Sequence, residues 1–205
     1  MMRQLFYVLC CAFTAVLLGC ESKEPSSGGN GTANGHDYVD LGLSVKWASM
    51  NVGAESVEDY GDYFAWGETK PKSTYTESSY TYSDEPILLP LSCDAANVNW
   101  GGDWRMPTKE EQEELKTKCT WAWTTRNGVE GYAVISKTNG YSIFLPAAGV
   151  RDDMNPDWAD GHGFYWSSSF FYWKYAHNLG FYSEDIVWNY YFRYVGHSIR
   201  PVLAK

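Results

Sequence analysis

Short runs of alternating apolar and polar residues, separated by glycine and asparagine, dominate the chain from about residue 37 onward. This periodicity of two predicts β-strands. Residues 38–48 contain β-forming residues around a glycine break and predict a bent strand or a short hairpin, and residues 62–66 are another candidate strand. Residues 67–99 are polar, aromatic and irregular, which predicts a long loop of the kind that often carries function.

One segment, residues 108–119, has the pattern of a helix. Thr108 is a favourable N-cap, and Glu111 three positions later completes a capping box. Acidic residues occupy the first turns and lysines the last, as the helix dipole favours. The apolar face is narrow, with Leu115 and Cys119 one turn apart, so we expect this helix on the outside of a sheet. The glutamates predict a solvated helix face rather than a catalytic group.

The second half of the chain predicts antiparallel strands joined by tight turns. Two Asn-Gly pairs, at 127–128 and 139–140, separate β-rich runs and predict a three-stranded meander over residues 121–145. Further candidate strands follow at residues 165–169, 176–182, 186–188 and 198–202. One helix, many short antiparallel strands and long loops predict an α+β fold.

The two ends of the chain differ in character. Residues 1–20 carry Arg3, a short apolar run and a Leu-Leu-Gly-Cys ending, which predicts a secretory signal peptide. That ending resembles a bacterial lipobox and implies cleavage before Cys20 and lipidation of Cys20; an ordinary signal peptide with a chance cysteine is the alternative. Residues 21–36 are rich in Gly, Ser and Asn and predict a flexible linker, so the folded domain is expected over residues 37–205.

Charge and cysteine content narrow the expected partners. A net charge of −9 argues against a nucleic-acid partner, which would need a basic stripe. It also argues against electrostatic adhesion to anionic lipid, so contact with a membrane is expected only through the lipid anchor. Cys93 and Cys119 either form a disulfide, which an exported compartment permits, or are two separate buried thiols.

No pattern in the chain predicts catalysis, a cofactor or a metal site. The four histidines are dispersed and lack the spacing of metal ligands. Asp153, Asn155 and Asp157 alternate as at the start of an EF-hand loop, but Trp158 replaces the required glycine and Phe164 the bidentate glutamate. Two interpretations of this segment stay open: a lectin-like calcium site and a simple polar turn.

Aromatic residues are concentrated near the C-terminus. Residues 170–175 hold five aromatic side chains and one lysine, and residues 189–192 form a second cluster. A strand whose side chains alternate between two faces cannot bury all of these rings in one core. They are therefore either partly a contact surface or the packed interior of two loops that fold over each other.

Several short runs together resemble a known family. They are YVDLGLSVKWA, DYFAWGET, VNWGGDWRMPTKEE, SIFLPAAG, YWSSS and GHSIRPV, which occur in this order over about residues 37–203. They resemble the Fibrobacter major paralogous domain family, which is abundant on Bacteroides surface lipoproteins. The resemblance implies a C-type-lectin-like fold, related to formylglycine-generating enzymes and to the variable proteins of diversity-generating retroelements. It also implies an outer-membrane, lipid-anchored protein exposed at the cell surface.

The resemblance divides the C-terminal region into a fixed frame and a variable surface. Arg105 and Arg200 are expected as buried frame residues with hydrogen-bonding roles. The other residues that match the family frame here are Trp166, Ser167, Ser168, Ala176, Leu179, Phe181, Gly196, Pro201 and Val202. The residues between them predict a surface that binds a protein or a glycan: Phe170, Phe171, Tyr172, Trp173, Tyr175, His177, Tyr182, Asn189, Tyr190, Tyr191, Phe192 and Tyr194.

The composition of this surface is compatible with diversification. Tyr, Asn, Phe and His codons can all be reached from an asparagine codon by changing adenines alone, whereas Trp173, Lys174 and Glu184 need another starting codon. Asn178 is also expected in the variable set. Two other functions stay open: a structural subunit of an envelope complex, and a relative of formylglycine-generating enzymes. The second requires a late cysteine pair, and no cysteine follows Cys119.

Overall fold

The computed structural model describes residues 31–153 and 161–205, and shows a sheet-rich α+β fold. Eleven strands lie in the described part of the chain. In chain order they are β1 (Gly31–Ala33), β2 (His36–Val39), β3 (Val45–Ala48), β4 (Trp104–Arg105), β5 (Cys119–Arg126), β6 (Val129–Ser136), β7 (Ser142–Pro146), β8 (His162–Tyr172), β9 (Tyr175–Tyr182), β10 (Asp185–Phe192) and β11 (Val202–Ala204).

The strands form three antiparallel sheets. The first has the order β1-β2-β3-β11-β4, so the last strand of the chain is inserted between two early ones. The second is the meander β5-β6-β7, and the third has the order β10-β9-β8. The pairing of β11 with β3 ties the two ends of the domain together.

Within the described ranges, two α-helices pack beside the sheets: α1 (Ala95–Trp100) and α2 (Lys109–Lys118). The prediction for α2 is confirmed, with Thr108 as N-cap and a reciprocal capping box with Glu111. Arg105 reinforces this end through a fork to Glu111, with Nη1–Oε2 and Nη2–Oε1 distances of 2.7 and 2.5 Å. Gln112 donates to the carbonyls of Tyr165 and Trp166, which places α2 against β8.

The meander and the early hairpin agree with the sequence. Asn127 and Gly128 both have positive φ, as a tight two-residue hairpin turn requires. Residues 38–48 form a hairpin, in which Val39 pairs with Trp47. The strand predicted at residues 62–66 is wrong: only Phe64 forms a bridge, with His197. The predicted long loop contains α1 and two short 3-10 helices, Glu77–Ser79 and Leu91–Cys93.

The linker prediction is wrong for residues 31–36. Gly31–Ala33 is strand β1, and Asn34 and Gly35 form a third Asn-Gly turn, with φ of 47° and 82°, before β2 begins at His36. His36 stacks on Trp100 with ring centroids 3.8 Å apart, and Trp104 donates to the carbonyl of Ala33. These contacts fix a segment whose composition suggests flexibility. Residues 1–30, with the predicted signal peptide and Cys20, lie outside the described residues.

The ten expected frame residues of the C-terminal region are confirmed as interior, since all of them are buried. Arg105 is only half-buried, so its expected burial is wrong, although its hydrogen-bonding role is confirmed. Trp166 donates from its indole nitrogen to the carbonyl of Phe64 at 2.8 Å. Arg200 donates to Asn51 and to the carbonyls of Ser49 and Phe144, at 2.9–3.1 Å. Burial lowers the pKa of Arg200 to about 10. Because these bonds join three segments of the chain, Arg200 acts as a buried structural tie.

The two described cysteines are separate thiols, so the disulfide alternative is wrong. Cys119 is buried beside Leu115 in the core between α2 and the meander, while Cys93 is half-buried against a second core around Trp66 and Trp166. Burial raises the pKa of Cys119 to about 11, which keeps it protonated. Among the described residues, no helix has the length and apolar content needed to span a bilayer.

Candidate functional site

The predicted aromatic loops are in fact the ends of strands. β8 continues through Tyr172 and β10 through Phe192, so residues 170–172 and 189–192 belong to the C-terminal sheet. Tyr175 pairs with both Tyr172 and Phe192. The strands extend because aromatic residues suit a pleated surface and pair across it. The expectation that both aromatic groups lie at one end of the sheet is confirmed.

One face of this sheet end carries a continuous run of rings, which we call the aromatic ladder. Phe171 stacks on Tyr190 at 4.4 Å and meets His177 edge-on at 4.9 Å. Tyr190 and Tyr175 are in edge contact at 5.4 Å. The run continues from Tyr175 to Phe192 at 4.6 Å, and from Phe192 to Tyr194 at 5.3 Å. The ladder thus consists of Phe171, His177, Tyr190, Tyr175, Phe192 and Tyr194.

The opposite face of the same sheet end points inward. Tyr191 packs against Phe164 and His197, with centroids 5.9 and 5.2 Å away, and Phe170 lies 6.0 Å from Trp66. Both residues are half-buried against core clusters. The expectation that Tyr191 is a largely accessible contact residue is therefore wrong, because alternation along β10 turns it away from Tyr190.

Exposure within the predicted surface is uneven. Tyr172 is 68% exposed, Trp173 56% and Tyr190 50%. Tyr175 and Tyr194 are half-buried by their ladder contacts, so the expectation that these two are largely accessible is wrong. The exposed residues of the predicted set are Phe171, Tyr172, Trp173, Tyr182, Asn189 and Tyr190, and the half-buried ones are Phe170, Tyr175, His177, Tyr191, Phe192 and Tyr194.

Tyr182, Asn189 and Asn178 were also predicted at the surface but lie apart from the ladder. Tyr182 pairs with Asp185 at the opposite end of the sheet and neighbours His162 at 6.0 Å. Asn189 is exposed, but along β10 its side chain lies on the same face of the sheet as Tyr191 and not on the face of Tyr190. Asn178, expected in the variable set, is fully buried, and its side-chain amide has no hydrogen-bond partner. The prediction that Asn178 belongs to the variable surface is therefore wrong.

The turn between β8 and β9 holds Trp173 in an unusual backbone conformation. Trp173 has φ of 48°, a value shared among the described non-glycine residues only by Asn34 and Asn127. A bulky residue in this region is strained, and such strain is found preferentially at functional sites. The conformation places an exposed indole at the tip of the hairpin, next to Lys174, whose ammonium lies 4.5 Å from the ring centroid.

An aliphatic edge beside the ladder was missed in the sequence. Residues 87–89 pair with β8: Ile87 accepts from the amide of Phe170, and Leu89 donates to the carbonyl of Ser168. Ile87 is 87% exposed, and Leu88 and Leu91 are also exposed. The run Ile-Leu-Leu-Pro-Leu at residues 87–91 is the sequence signal that could have predicted this edge. It was overlooked because the surrounding segment is polar and irregular.

A cavity of about 330 Å³ adjoins the hairpin tip. The segment at residues 77–85 forms one wall, and the turns at Trp173-Lys174 and Arg193-Tyr194 form the other. The sequence did not single out Arg193, which is buried, or the tyrosines Tyr80 and Tyr82 in this wall. Arg193 interacts with the carbonyl of Asp84 through Nη1 at 2.7 Å.

Electrostatics of the ladder favour neutral groups. The pKa of His177 is lowered, first by burial and then by Lys109, so the ring is neutral at pH 7. Burial raises the pKa of Tyr194, which keeps its phenol protonated. The ladder therefore presents uncharged rings and hydroxyl groups, which suit contact with a protein or a sugar.

The described residues show no arrangement for metal binding. Residues 31–153 and 161–205 contain no group of three or more His, Cys, Asp or Glu side chains arranged to hold an ion. Asp153 accepts a hydrogen bond from the amide of Tyr75 and lines a second cavity of about 390 Å³ together with Arg151. Asn155 and Asp157, the other members of the calcium-like pattern, lie outside the described residues.

Comparison of the chain with models of known protein families, with curated protein sequences and with solved structures finds no match.

Proposed function

We propose that this chain is a binding module with a C-type-lectin-like fold, and that the aromatic ladder with the hairpin tip forms its ligand-contact surface. The ligand is a protein or a glycan. The module is held at the outer membrane, on the cell surface, by lipid on Cys20. The observation that carries the proposal is the continuity of the ladder, whose rings extend across three strands. The exposed Tyr172 pairs with the ladder residue Tyr175, and the exposed Trp173 follows Tyr172 in the turn.

The chemistry of the surface supports binding. Tyrosine and tryptophan provide large contact areas with few rotatable bonds and carry a polar group, so little entropy is lost when a ligand orders them. The rings of Phe171 and Tyr190 already fix each other by stacking. A pre-organised aromatic patch of this kind is where central contact residues of an interface are usually found.

The separation of frame and surface supports the resemblance to variable lectin-like proteins. The ten frame residues are buried, and none of the twelve predicted contact residues is. The ladder can therefore change by substitution while Trp166 and Arg200 hold the scaffold. Active diversification of these positions is part of the proposal, with Asn178 excluded because it is buried.

A second candidate function is a structural subunit of an envelope complex. Ile87, Leu88 and Leu91 favour it, because three exposed aliphatic side chains at a sheet edge are typical of a surface covered by a partner. In that case the ladder and the aliphatic edge would be buried together in one permanent interface.

A screen with matched variants tests the binding proposal. The purified chain is immobilised and probed with a glycan array and, separately, with solubilised surface proteins. Three versions are compared: wild type, the Tyr172→Ser/Tyr190→Ser variant and the control Tyr141→Ser. Tyr141 is an exposed tyrosine in the meander, 42% accessible. We expect ligands retained by wild type and the control to be lost with the double variant.

Two outcomes would contradict the proposal. Equal retention by all three versions would place the binding site elsewhere. A ligand lost with Ile87→Ser and Leu88→Ser, but not with the ladder variant, would favour the assembly function. The anchor is tested separately: Cys20→Ser should lose incorporation of an acyl probe, whereas Cys93→Ser should keep it.

A further inference from the structure

The cavity beside the hairpin tip contains a buried charge that the protein itself does not neutralise. Arg193 is 6% exposed and lines this cavity. Among the described residues it has no carboxylate within ion-pair distance, and its Nε has no hydrogen-bond partner. Its guanidinium makes one hydrogen bond, from Nη1 to the carbonyl of Asp84. A buried charge without a counter-ion is costly, so a ligand that supplies one gains affinity.

The position of this guanidinium is fixed. It lies 5.5–5.6 Å from the ring centroids of Trp66, Tyr80 and Phe170. The backbone of Arg193 is held at both ends, donating to the carbonyl of Lys174 and accepting from the amide of Trp66. A guanidinium held in this way presents its donors without an ordering cost, which suits recognition of a planar carboxylate.

We infer that this cavity binds the carboxylate of an acidic sugar residue of the hexuronate type. The inference rests on the proposed function, because Tyr194 belongs to the ladder and also lines the cavity. The cavity volume of about 330 Å³ is at the small end of ligand sites, which matches one sugar residue. Arg193 receives the carboxylate, and the tyrosine and tryptophan rings of the wall contact the sugar ring.

The other charges around the cavity select the class of anion. Lys174 is ion-paired with Glu77, and Glu85 is exposed at the rim. Two rim carboxylates repel a dianionic phosphate more strongly than a singly charged carboxylate. The aromatic walls favour a sugar over a peptide terminus, because a pyranose ring offers apolar C–H faces that cover Trp173 and Tyr82, whereas a peptide terminus offers mainly polar backbone.

The test uses ligands that differ in one group. The ¹⁵N-labelled full chain is titrated with sodium glucuronate or with glucose, which carries a hydroxymethyl group where glucuronate carries the carboxylate. The readout is the ¹H–¹⁵N signal of Arg193 Nε, with no ladder ligand present. We expect a saturable shift with glucuronate, at least tenfold weaker affinity for glucose, and weakening of glucuronate binding as salt is raised.

Variants of single residues test the role of each side chain in glucuronate binding. Glu77→Gln removes a rim carboxylate and frees Lys174, so it should strengthen glucuronate binding severalfold. Arg193→Gln lacks the Nε reporter, so its titration is followed through the backbone amide signals of Trp173 and Tyr194 and should show no glucuronate shift. The Glu77→Gln result stands if the Arg193→Gln variant fails to fold. Tyr141→Ser lies outside the cavity lining and outside the ladder, and it should leave glucuronate binding unchanged. Because the titration contains no ladder ligand and reads Arg193 directly, a failure of the ladder as a binding surface is distinguishable from a failure of this site.

Three results would overturn the inference. They are an absent glucuronate shift, equal affinity for glucose and glucuronate, and a glucuronate affinity that Glu77→Gln lowers or leaves unchanged. Acetyl-glycyl-alanine, with its free C-terminal carboxylate, forms a further arm of the titration. If it binds as tightly as glucuronate, the site recognises peptide termini and the assignment to a sugar is wrong.

Discussion

Phe171 and Tyr190 stack at 4.4 Å although they belong to β8 and β10, the outer strands of a sheet in which β9 lies between them. His177 on β9 pairs with Tyr190 and contacts Phe171, so the three rings span the full width of the sheet. The aromatic ladder is thus built on a hydrogen-bonded sheet rather than on loops. The strand pairing fixes the relative positions of its rings.

Tyr190 and Tyr191 are neighbours in sequence with opposite roles. Tyr190→Ser should lower the free energy of unfolding by less than about 1 kcal/mol, because the ring is half-exposed. Tyr191→Ser should cost about 3 kcal/mol, since it removes a ring packed against Phe164 and His197. Urea denaturation of both variants checks this contrast, and equal losses would mean that the two faces are wrongly assigned.

The buried frame should tolerate little change. Trp166→Ala leaves a cavity and removes one of the two hydrogen bonds to the Phe64 carbonyl, which also accepts from the amide of His197, and it should cost about 3–5 kcal/mol. Arg200→Ala leaves Asn51 and two carbonyls without their donor and should cost at least as much. Thermal melting is the measurement, with Lys205→Ala at the exposed C-terminus as control. A melting temperature within about 2 °C of wild type for either frame variant would refute its structural role.

Trp173 offers a test of strain at the hairpin tip. Trp173→Asn replaces a bulky residue at φ of 48° by one that tolerates positive φ, so it should raise stability by about 1 kcal/mol. The same change should weaken ligand binding, because the exposed indole is lost. Asn127→Ala, at the corresponding φ in the β5–β6 turn, should show the reverse effect on stability. A destabilised Trp173→Asn protein would show that the indole packs rather than binds.

His197 should make the fold sensitive to acid. Its ring is fully buried among Trp166, Phe164 and Tyr191, neither ring nitrogen has a hydrogen-bond partner, and burial lowers its pKa well below the usual value. Below about pH 6.5 the unfolded chain binds a proton that the folded chain does not, so the free energy of unfolding falls by about 1.4 kcal/mol per pH unit. Above that pH this group contributes no pH dependence.

His197→Leu should therefore flatten the stability profile between about pH 6.5 and 5, relative to wild type. Urea denaturation at several pH values measures the difference, and His162→Gln, a partly exposed histidine, is the control. Parallel profiles for wild type and His197→Leu would show that His197 does not titrate in this way.

Short-range sequence signals were sufficient to predict α2 and the meander. The capping residues Thr108 and Glu111 and the Asn-Gly turns each act on backbone only a few residues away. The third Asn-Gly turn, at Asn34-Gly35, was missed because the stacking of His36 on Trp100 that holds it is a long-range contact. The β8–β9 turn was missed because Trp173-Lys174 has no turn signature. The aromatic surface was therefore predicted from the sequence, but the strand ends that carry it were predicted to be loops.

The inward orientation of Tyr191 and Asn178 depends on register, which short-range patterns do not determine. Asn178 pairs with both Trp166 and Asn189, and this registration turns its side chain into the core. Arg193 was overlooked for a similar reason. Its burial comes from Tyr80 and Trp66, which are distant in sequence.

The most direct test of the central claim is the affinity of the ligand recovered in the screen, measured for wild type, Tyr190→Ser and Tyr141→Ser. If the ladder is the contact surface, Tyr190→Ser should weaken binding by about 2 kcal/mol, roughly 30-fold in Kd. The Tyr141→Ser control, an exposed tyrosine in the turn between β6 and β7, should stay within twofold of wild type. A Kd for Tyr190→Ser within twofold of wild type, or equal weakening by both variants, would contradict the account.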